Sequence, residues 1–349
     1  MPNNLLASGV YGCVFNPAYH CNGKTTHKKK LVSKLTKDDI TSKNEIDISN
    51  RIKGIPNYKK YFIVVESSCP VNRKNLKASS MTNQCELTEK NSELKKKYVL
   101  LYSNYIESLE LADYLSVNKH ITMYSIVKIF IDVMERIDMM SKYKIIHNDL
   151  HFGNILRSKE TGHIYIIDFG LSICTEYYYK DGTLDHEYIR EAVSYYLASW
   201  NWHSVEHHLL SYIYYVGDLT DKSIKETIRE YLDNHRIIPY ISPTFSKEYE
   251  KASYSYFSKY AGMPRDEAIQ ELLSFSHTWD YFKISLHFLK IMNNLQIDNE
   301  MFRLFLITMI SPNPEKRPTL LQKHRMISQL IEYLPLISES KPENKIVTN

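Results

Sequence analysis

An α+β fold in two lobes, a small β-rich N-terminal one and a larger helical C-terminal one, is predicted by three features of the chain. Short apolar and β-branched runs, Leu6 to Val14, Leu31 to Leu35 and Tyr98 to Tyr102, punctuate the first hundred residues. Beyond them Ile126, Ile129, Phe130, Val133, Met134 and Ile137 recur at i, i+3, i+4, i+7, the spacing of a helix with one buried face. At 349 residues the chain can bury a sizeable core and fill two lobes. The expected division is 1–103, 104–336 and a polar tail over 337–349.

The N-terminal elements follow in order. Leu6-Ala7-Ser8-Gly9-Val10-Tyr11-Gly12-Cys13-Val14 reads as a hairpin whose glycines let backbone N–H groups approach a triphosphate without a Cβ between. Leu31-Val32-Ser33-Lys34-Leu35 is a strand carrying one lysine, a cation suited to grip the α- and β-phosphates. A helix is expected from Asp38 to Ile52, closed by Gly54 and Pro56. It holds Glu45, the only glutamate between Lys34 and Glu66, and hence the favoured partner of Lys34. Residues 66–97 are polar and aperiodic and read as a surface insertion, after which the strand at Tyr98 returns to the core. Backbone groups around Ser103 to Glu107 are candidates to bind adenine.

The chemistry concentrates in residues 147–170, HNDLHFGNILRSKETGHIYIIDFG. Asp149 can accept the proton of an incoming hydroxyl, while Asn154 and the Asp168 of Asp168-Phe169-Gly170 can hold Mg²⁺ against phosphates. Ile164 to Ile167 is a strand that delivers Asp168 beside the other two. Each tripeptide alone would be an ordinary turn; their order and register together point to a metal-dependent phosphotransferase. Downstream, Trp279 opens a largely apolar helix, and 311–319 is a proline-bounded turn carrying Arg317. One competing motif, His203-Ser204-Val205-Glu206-His207, fits a zinc-binding HxxEH pattern but lacks a clear third ligand.

Composition bounds the alternatives. Hydrophobic residues make up 43% and charged ones 24%, as in a soluble globular protein. A net charge of +4 from 44 basic and 40 acidic residues is too even to argue for nucleic-acid binding. The runs Lys28-Lys29-Lys30 and Lys95-Lys96-Lys97 read as solvated faces. No apolar run approaches the ~20 residues of a membrane helix, and no signal-peptide layout opens the chain. Five cysteines (Cys13, Cys21, Cys69, Cys85, Cys174), odd in number and widely spaced, together with the absence of an Asn-x-Ser/Thr sequon, suit a reducing cytoplasm and argue against structural zinc. The 28 tyrosines, with abundant Lys, Ile and Asn, share A/T-rich codons and report genome composition.

With these residues in place, the chain resembles the eukaryotic-type protein kinase family over roughly residues 5–335. LASGVYGCV looks like the glycine-rich loop, LVSK like the strand bearing the phosphate-gripping lysine, HNDLHFGN like the catalytic loop, and DFG stands intact. The resemblance implies ATP and Mg²⁺ as cofactors, contacts to nucleotide from residues 6–14, Lys34, Glu45 and Leu156, a catalytic set of Asp149, Lys34, Asn154 and Asp168, and a protein substrate bearing serine or threonine. It further implies a monomer that binds neither nucleic acid nor membrane. Ser204-Val205-Glu206 sits where the family has Ala-Pro-Glu, Arg317 where it has that glutamate's partner, and Asp280 where an aspartate braces the catalytic loop. Asn148 replaces the usual arginine, His151 the usual lysine, Ala7 the first loop glycine, and Ser49 a large apolar residue. About seventy residues separate Glu206 from Asp280, so 207–278 reads as an insertion. The HxDLHxGN pattern is also similar to haspin-like kinases, and the composition resembles kinases of large DNA viruses, which implies host cytoplasm or virion. A pseudokinase that only binds partners and a small-molecule phosphotransferase are the rival readings.

Overall fold

The computed structural model describes residues 5–9, 12–24, 30–71, 85, 97–118 and 121–339, with side chains as far as residue 333. The chain forms two compact units. The first reaches Tyr114 and takes in Lys142–Cys174; the second comprises Leu115–Ser141 and the chain from Thr175 onward.

In the first unit, strands β1 (Leu5–Gly9), β2 (Gly12–Phe15), β3 (Leu31–Lys37), β4 (Ser67–Val71) and β5 (Tyr98–Asn104) form an antiparallel sheet in the order β1-β2-β3-β5-β4. Cys13 and Phe15 alternate inward on β2 and meet Leu35, Tyr98 and Leu100 in one core, the period-2 pattern of a half-buried sheet. Gly12 is required sterically, because a Cβ there would lie 2.6 Å from the carbonyl oxygen of Leu35. Helix α1 (Ile40–Ile52) opens on a reciprocal cap in which Asp39 accepts from the Ser42 N–H and the Ser42 hydroxyl from the Asp39 N–H. Such a cap stabilises a helix start by about 1 kcal/mol, and here the helix begins two residues after the expected Asp38.

Residues 66–97 are not wholly insertion, since β4 lies within them and pairs with β5 along its length. Its Ser-Ser-Cys-Pro-Val sequence looks like loop because it is an edge strand, the one sheet position that tolerates proline and polar side chains. Residues 72–84 and 86–96 of that segment lie outside the described residues, as do Lys28, Lys29, Lys95 and Lys96. Four of the five cysteines are in disulfides and not thiols, contrary to the expectation of a reduced chain. Cys13 pairs with Cys85 and Cys21 with Cys69, at Cα separations of 5.8 and 6.1 Å, while Cys174 is buried and joins neither disulfide. The paired residues are 72 and 48 positions apart, so folding alone brings them within bonding range.

Residues 142–174 add β7 (Ile145–Ile146), β8 (Ile155–Ser158), β9 (Ile164–Ile166) and β10 (Ile173–Cys174) to this unit. Strand β8 lies between β9 and β6 (Ser108–Glu110), and β10 pairs with β7. Backbone bonds from Ile166 N–H to Tyr61 O (3.0 Å) and from Ile63 N–H to Ile166 O (3.1 Å) fasten β9 to the chain leaving α1. The motif-bearing segment thus belongs to the same compact unit as the five-stranded sheet.

The helices beyond α1 are α2 (Leu111–Val117), α3 (Met123–Lys142), α4 (His186–Ala192), α5 (Val205–Tyr215), α6 (Asp221–Asp233), α7 (Ile238–Ile241), α8 (Pro243–Phe257), α9 (Arg265–Ser274), α10 (Trp279–Leu295), α11 (Glu300–Met309) and α12 (Leu320–Glu339). The predicted stripe on α3 is buried throughout, and within the second unit Phe130 meets Phe288, Phe302 and Phe305 edge to face at 5.0–5.4 Å. Residues 207–278 are mostly helical, from α5 to α9. Helix α12 runs three residues past the expected domain end at 336. Residues 340–349 of the tail lie outside the described residues. No helix among the described residues is long and apolar enough to cross a membrane.

Candidate active site

Strand alternation on β3 turns Ser33 and Leu35 into the core and Lys34 to the other face. On α1, Ser42, Glu45, Ile48, Ser49 and Ile52 form the buried face. These two periodicities bring Lys34 Nζ to 2.9 Å from Glu45 Oε2, and the same nitrogen lies 2.8 Å from Asp168 Oδ1. Burial works against the charge on Lys34, but the two carboxylates outweigh it and hold the ammonium protonated well above its ordinary range. Burial is also the largest influence on Glu45 and raises its pKa, which Lys34 only partly offsets. For Asp168, burial is opposed by the charge and hydrogen bond of Lys34, by His147 and by the Gly170 N–H, so its pKa falls. Asp168 is the firm anion of the three. An ammonium has three donors, and two of those on Lys34 are occupied by carboxylates.

Helix α1 is seated on the Asp168-Phe169-Gly170 turn by more than this pair. Asn44 donates from Nδ2 to Gly170 O (3.0 Å) and Ser172 O (2.8 Å). Gly170 has no room for a side chain, since a Cβ would come within 2.9 Å of Thr41 Cγ2. Phe169 is buried against Phe62 and the His147 ring, at 6.2 and 5.1 Å between centroids. Ser49, in place of a large apolar residue, accepts the Val65 N–H at 3.0 Å. It satisfies a buried backbone donor that an aliphatic side chain would leave unmet. Sequence reasoning singled out neither Asn44, Thr41 nor Phe62. The adjacency of an asparagine to Glu45 is the one signal that could have been followed.

Residues 147–154 are held together by their own hydrogen bonds. Asn148 and Asp168 both adopt left-handed backbone, φ 61° and 62°, which asparagine and aspartate tolerate better than other non-glycine residues. An asparagine where an arginine is usual therefore suits its backbone. His147 accepts the Asp149 N–H at Nδ1 (3.3 Å) and bonds Ile167 O through Nε2 (2.9 Å), which fixes the Nε2–H tautomer. Asn154 donates from Nδ2 to Asp149 O (2.9 Å) and Asp149 Oδ2 (3.3 Å). The Ile167 N–H bonds Asn154 O at 3.1 Å, so the segment leading from β9 to Asp168 is tied to the turn that presents Asn154.

Among the residues expected at the nucleotide, Leu6, Ala7, Ser8 and Gly9 are exposed on β1, and a Cβ on Gly9 would meet nothing within 4 Å. Val14 on β2 stands directly opposite Lys34. Cys13 faces the core and is bonded to Cys85, so only its backbone is open to a ligand. Leu156, half-buried on β8, pairs with Glu110 and Tyr165. Val10 and Tyr11 lie outside the described residues.

The zinc motif resolves differently. Both oxygens of Glu206 are held by Arg317, at 2.5 and 3.1 Å, so it is not a free base. Arg317 also donates to Thr278 Oγ1 and Ser311 O. The rings of His203 and His207 stack at 3.9 Å instead of converging their nitrogens, and no group of three His, Cys, Asp or Glu among the described residues could hold a metal.

A lysine clamped between a helix carboxylate and a turn carboxylate, next to an Asp–Asn pair, is a set of groups that can hold a polyphosphate and take a proton from a hydroxyl. The protein kinase domain model matches residues 2–329, and the chain belongs to that family, its antiparallel sheet and its larger helical part being the two lobes of the fold. A search of curated proteins finds no match.

Proposed function

We propose that this kinase transfers the γ-phosphoryl group of ATP to serine or threonine hydroxyls of proteins, with Asp149 as the proton acceptor. The observation that carries the reading is the assembled constellation: Lys34 bonded to both Glu45 and Asp168, and Asp149 bonded to Asn154. A serine or threonine acceptor is favoured because the loop, HNDLHFGN, lacks the Ala-Arg pattern resembling tyrosine kinases. The HxDLHxGN pattern and the A/T-rich codon composition support placing the chain near haspin-like kinases and kinases of large DNA viruses.

The donor set fits Mg²⁺. Asn154 spends its amide N–H on Asp149 and keeps its carbonyl oxygen, while Asp168 is held anionic; both are hard oxygen ligands. The ion supplies, when bound, neutralisation of charge on the phosphates. Lys34 keeps one donor for phosphate oxygens, Glu45 holds Lys34 in place, Gly12 lets β2 lie close to β3 beside Lys34, and Gly9 puts no side chain in the way of a phosphate. Asp149 orients the hydroxyl and receives its proton, a contribution of ~10² to 10⁴ in rate. Because phosphoryl transfer passes through a loose transition state, positioning and electrostatics carry most of the catalysis.

The test is transfer from radiolabelled ATP to dephosphorylated casein, with aminoglycoside and choline as parallel acceptors. Label on casein serine and threonine that disappears in Asp149→Asn, while ATP binding persists, supports the reading. Undiminished transfer in that variant overturns it, as does label only on the small molecules.

A further inference from the structure

We propose that His151 is a positioning residue that reserves one oxygen of Asp149 for catalysis; this rests on the reading of Asp149 as the base. The Gly153 N–H donates to His151 Nδ1 at 3.0 Å, which places the ring proton on Nε2. That nitrogen lies 3.8 Å from Asp149 Oδ2, the oxygen that also receives the Asn154 amide. Both neighbours therefore address Oδ2, and Oδ1 has no hydrogen-bond partner among the described residues. In transfer, Oδ1 takes the hydroxyl proton as the acceptor oxygen bonds to the γ-phosphorus and the bond from that phosphorus to the bridging oxygen of ADP breaks.

The ring is held by the loop itself. Gly153 is glycine because a Cβ would fall 2.9 Å from His151 Cε1 and 3.0 Å from Nδ1, so the imidazole sits close against the turn leading to Asn154. A separation of 3.8 Å is longer than a hydrogen bond, and such contacts often tighten only when substrate is bound. A neutral N–H at this place orients a carboxylate without competing for its charge. A lysine there would instead bring a full cation on a flexible stem.

Two substitutions separate the ring's two ends. In His151→Asn the amide oxygen takes the place of Nδ1 and keeps the Gly153 contact, but nothing reaches Asp149. In His151→Gln the amide nitrogen extends as far as Nε2. With casein as acceptor, His151→Asn is expected to keep its thermal midpoint and KM for ATP while kcat falls ~10-fold, and His151→Gln to recover most of that loss. A His151→Asn enzyme as fast as wild type, or a His151→Gln enzyme as slow as His151→Asn, overturns the proposal. Nitrogen-15 NMR of the wild-type imidazole is independent of any variant: the Nε2–H tautomer is expected, and an Nδ1–H tautomer overturns it. Asp149→Asn is assayed alongside. If that variant retains activity, the base has been misassigned and the fault lies in the underlying reading, whereas its inactivity with an indifferent His151 isolates the failure here.

Discussion

Two ionic clusters, one in each unit, use the same charges to opposite ends. Arg317 and Glu206 are sealed, at 2% and 0% side-chain exposure, and every Arg317 nitrogen finds an acceptor in Glu206, Thr278 or Ser311. Lys34 and Asp168 stay partly open, at 17% and 38%, with two carboxylates against one ammonium. A closed, neutral pair has nothing left to offer a ligand. An open cluster with excess negative charge, a spare ammonium donor and a buried carboxylate that readily takes a proton is arranged for a visitor. Exposure and unbalanced charge, more than the ion pair itself, separate a working site from a brace.

The contrast breaks first on Asp149→Asn, which should lower kcat by ~10² to 10⁴ in the casein assay without changing stability in urea. Lys34→Met and Arg317→Met sharpen it. Losing Arg317 strands a fully buried Glu206 and should cost about 3–5 kcal/mol of unfolding free energy. Losing Lys34 should abolish most activity yet cost less stability, because Glu45 can take up a proton and Asp168 reaches water. Equal destabilisation by the two would erase the distinction.

Smaller effects come from elements the clusters do not share. Reducing Cys13–Cys85 and Cys21–Cys69 with dithiothreitol should remove about 2–4 kcal/mol per bond from the first unit, followed by denaturant unfolding with and without reductant. In the second unit burial depresses the pKa of His208 to about 4 and of His235 to about 3, with His207 also lowered. Such groups bind protons more readily unfolded than folded. Their stabilisation is complete above the ordinary histidine pKa near 6.5 and drains as pH falls toward 4, by roughly 1.4 kcal/mol per pH unit per histidine. Urea midpoints measured between pH 7 and 4 should decline accordingly, and a flat profile would contradict the burial of these rings.

The site was legible to the extent that its groups lie close in sequence or on regular elements. Asp149, Asn154 and Asp168 share one short stretch, and Lys34 and Glu45 sit on a strand and a helix whose periodicities orient them. The edge strand at Ser67–Val71 was missed because edge strands lack the apolar alternation by which strands are recognised. Ser49 looked like a defect because its task is a hydrogen bond to Val65, a residue not adjacent in sequence. The helices of 207–278 carry many tyrosines and charges, so their stripes are weak signals.

The chain by itself determined which residues are candidates for the chemistry and on what kind of element they sit, because helix and strand periods, turn residues and the spacing of residues 147–170 are local properties. Only the tertiary structure decided which distant groups meet: Lys34 between Glu45 and Asp168, Arg317 on Glu206, Cys13 with Cys85, and residues 142–174 in one unit with the N-terminal strands. Such pairings depend on how elements pack, and packing is settled by the burial of whole faces, which no short window of sequence contains.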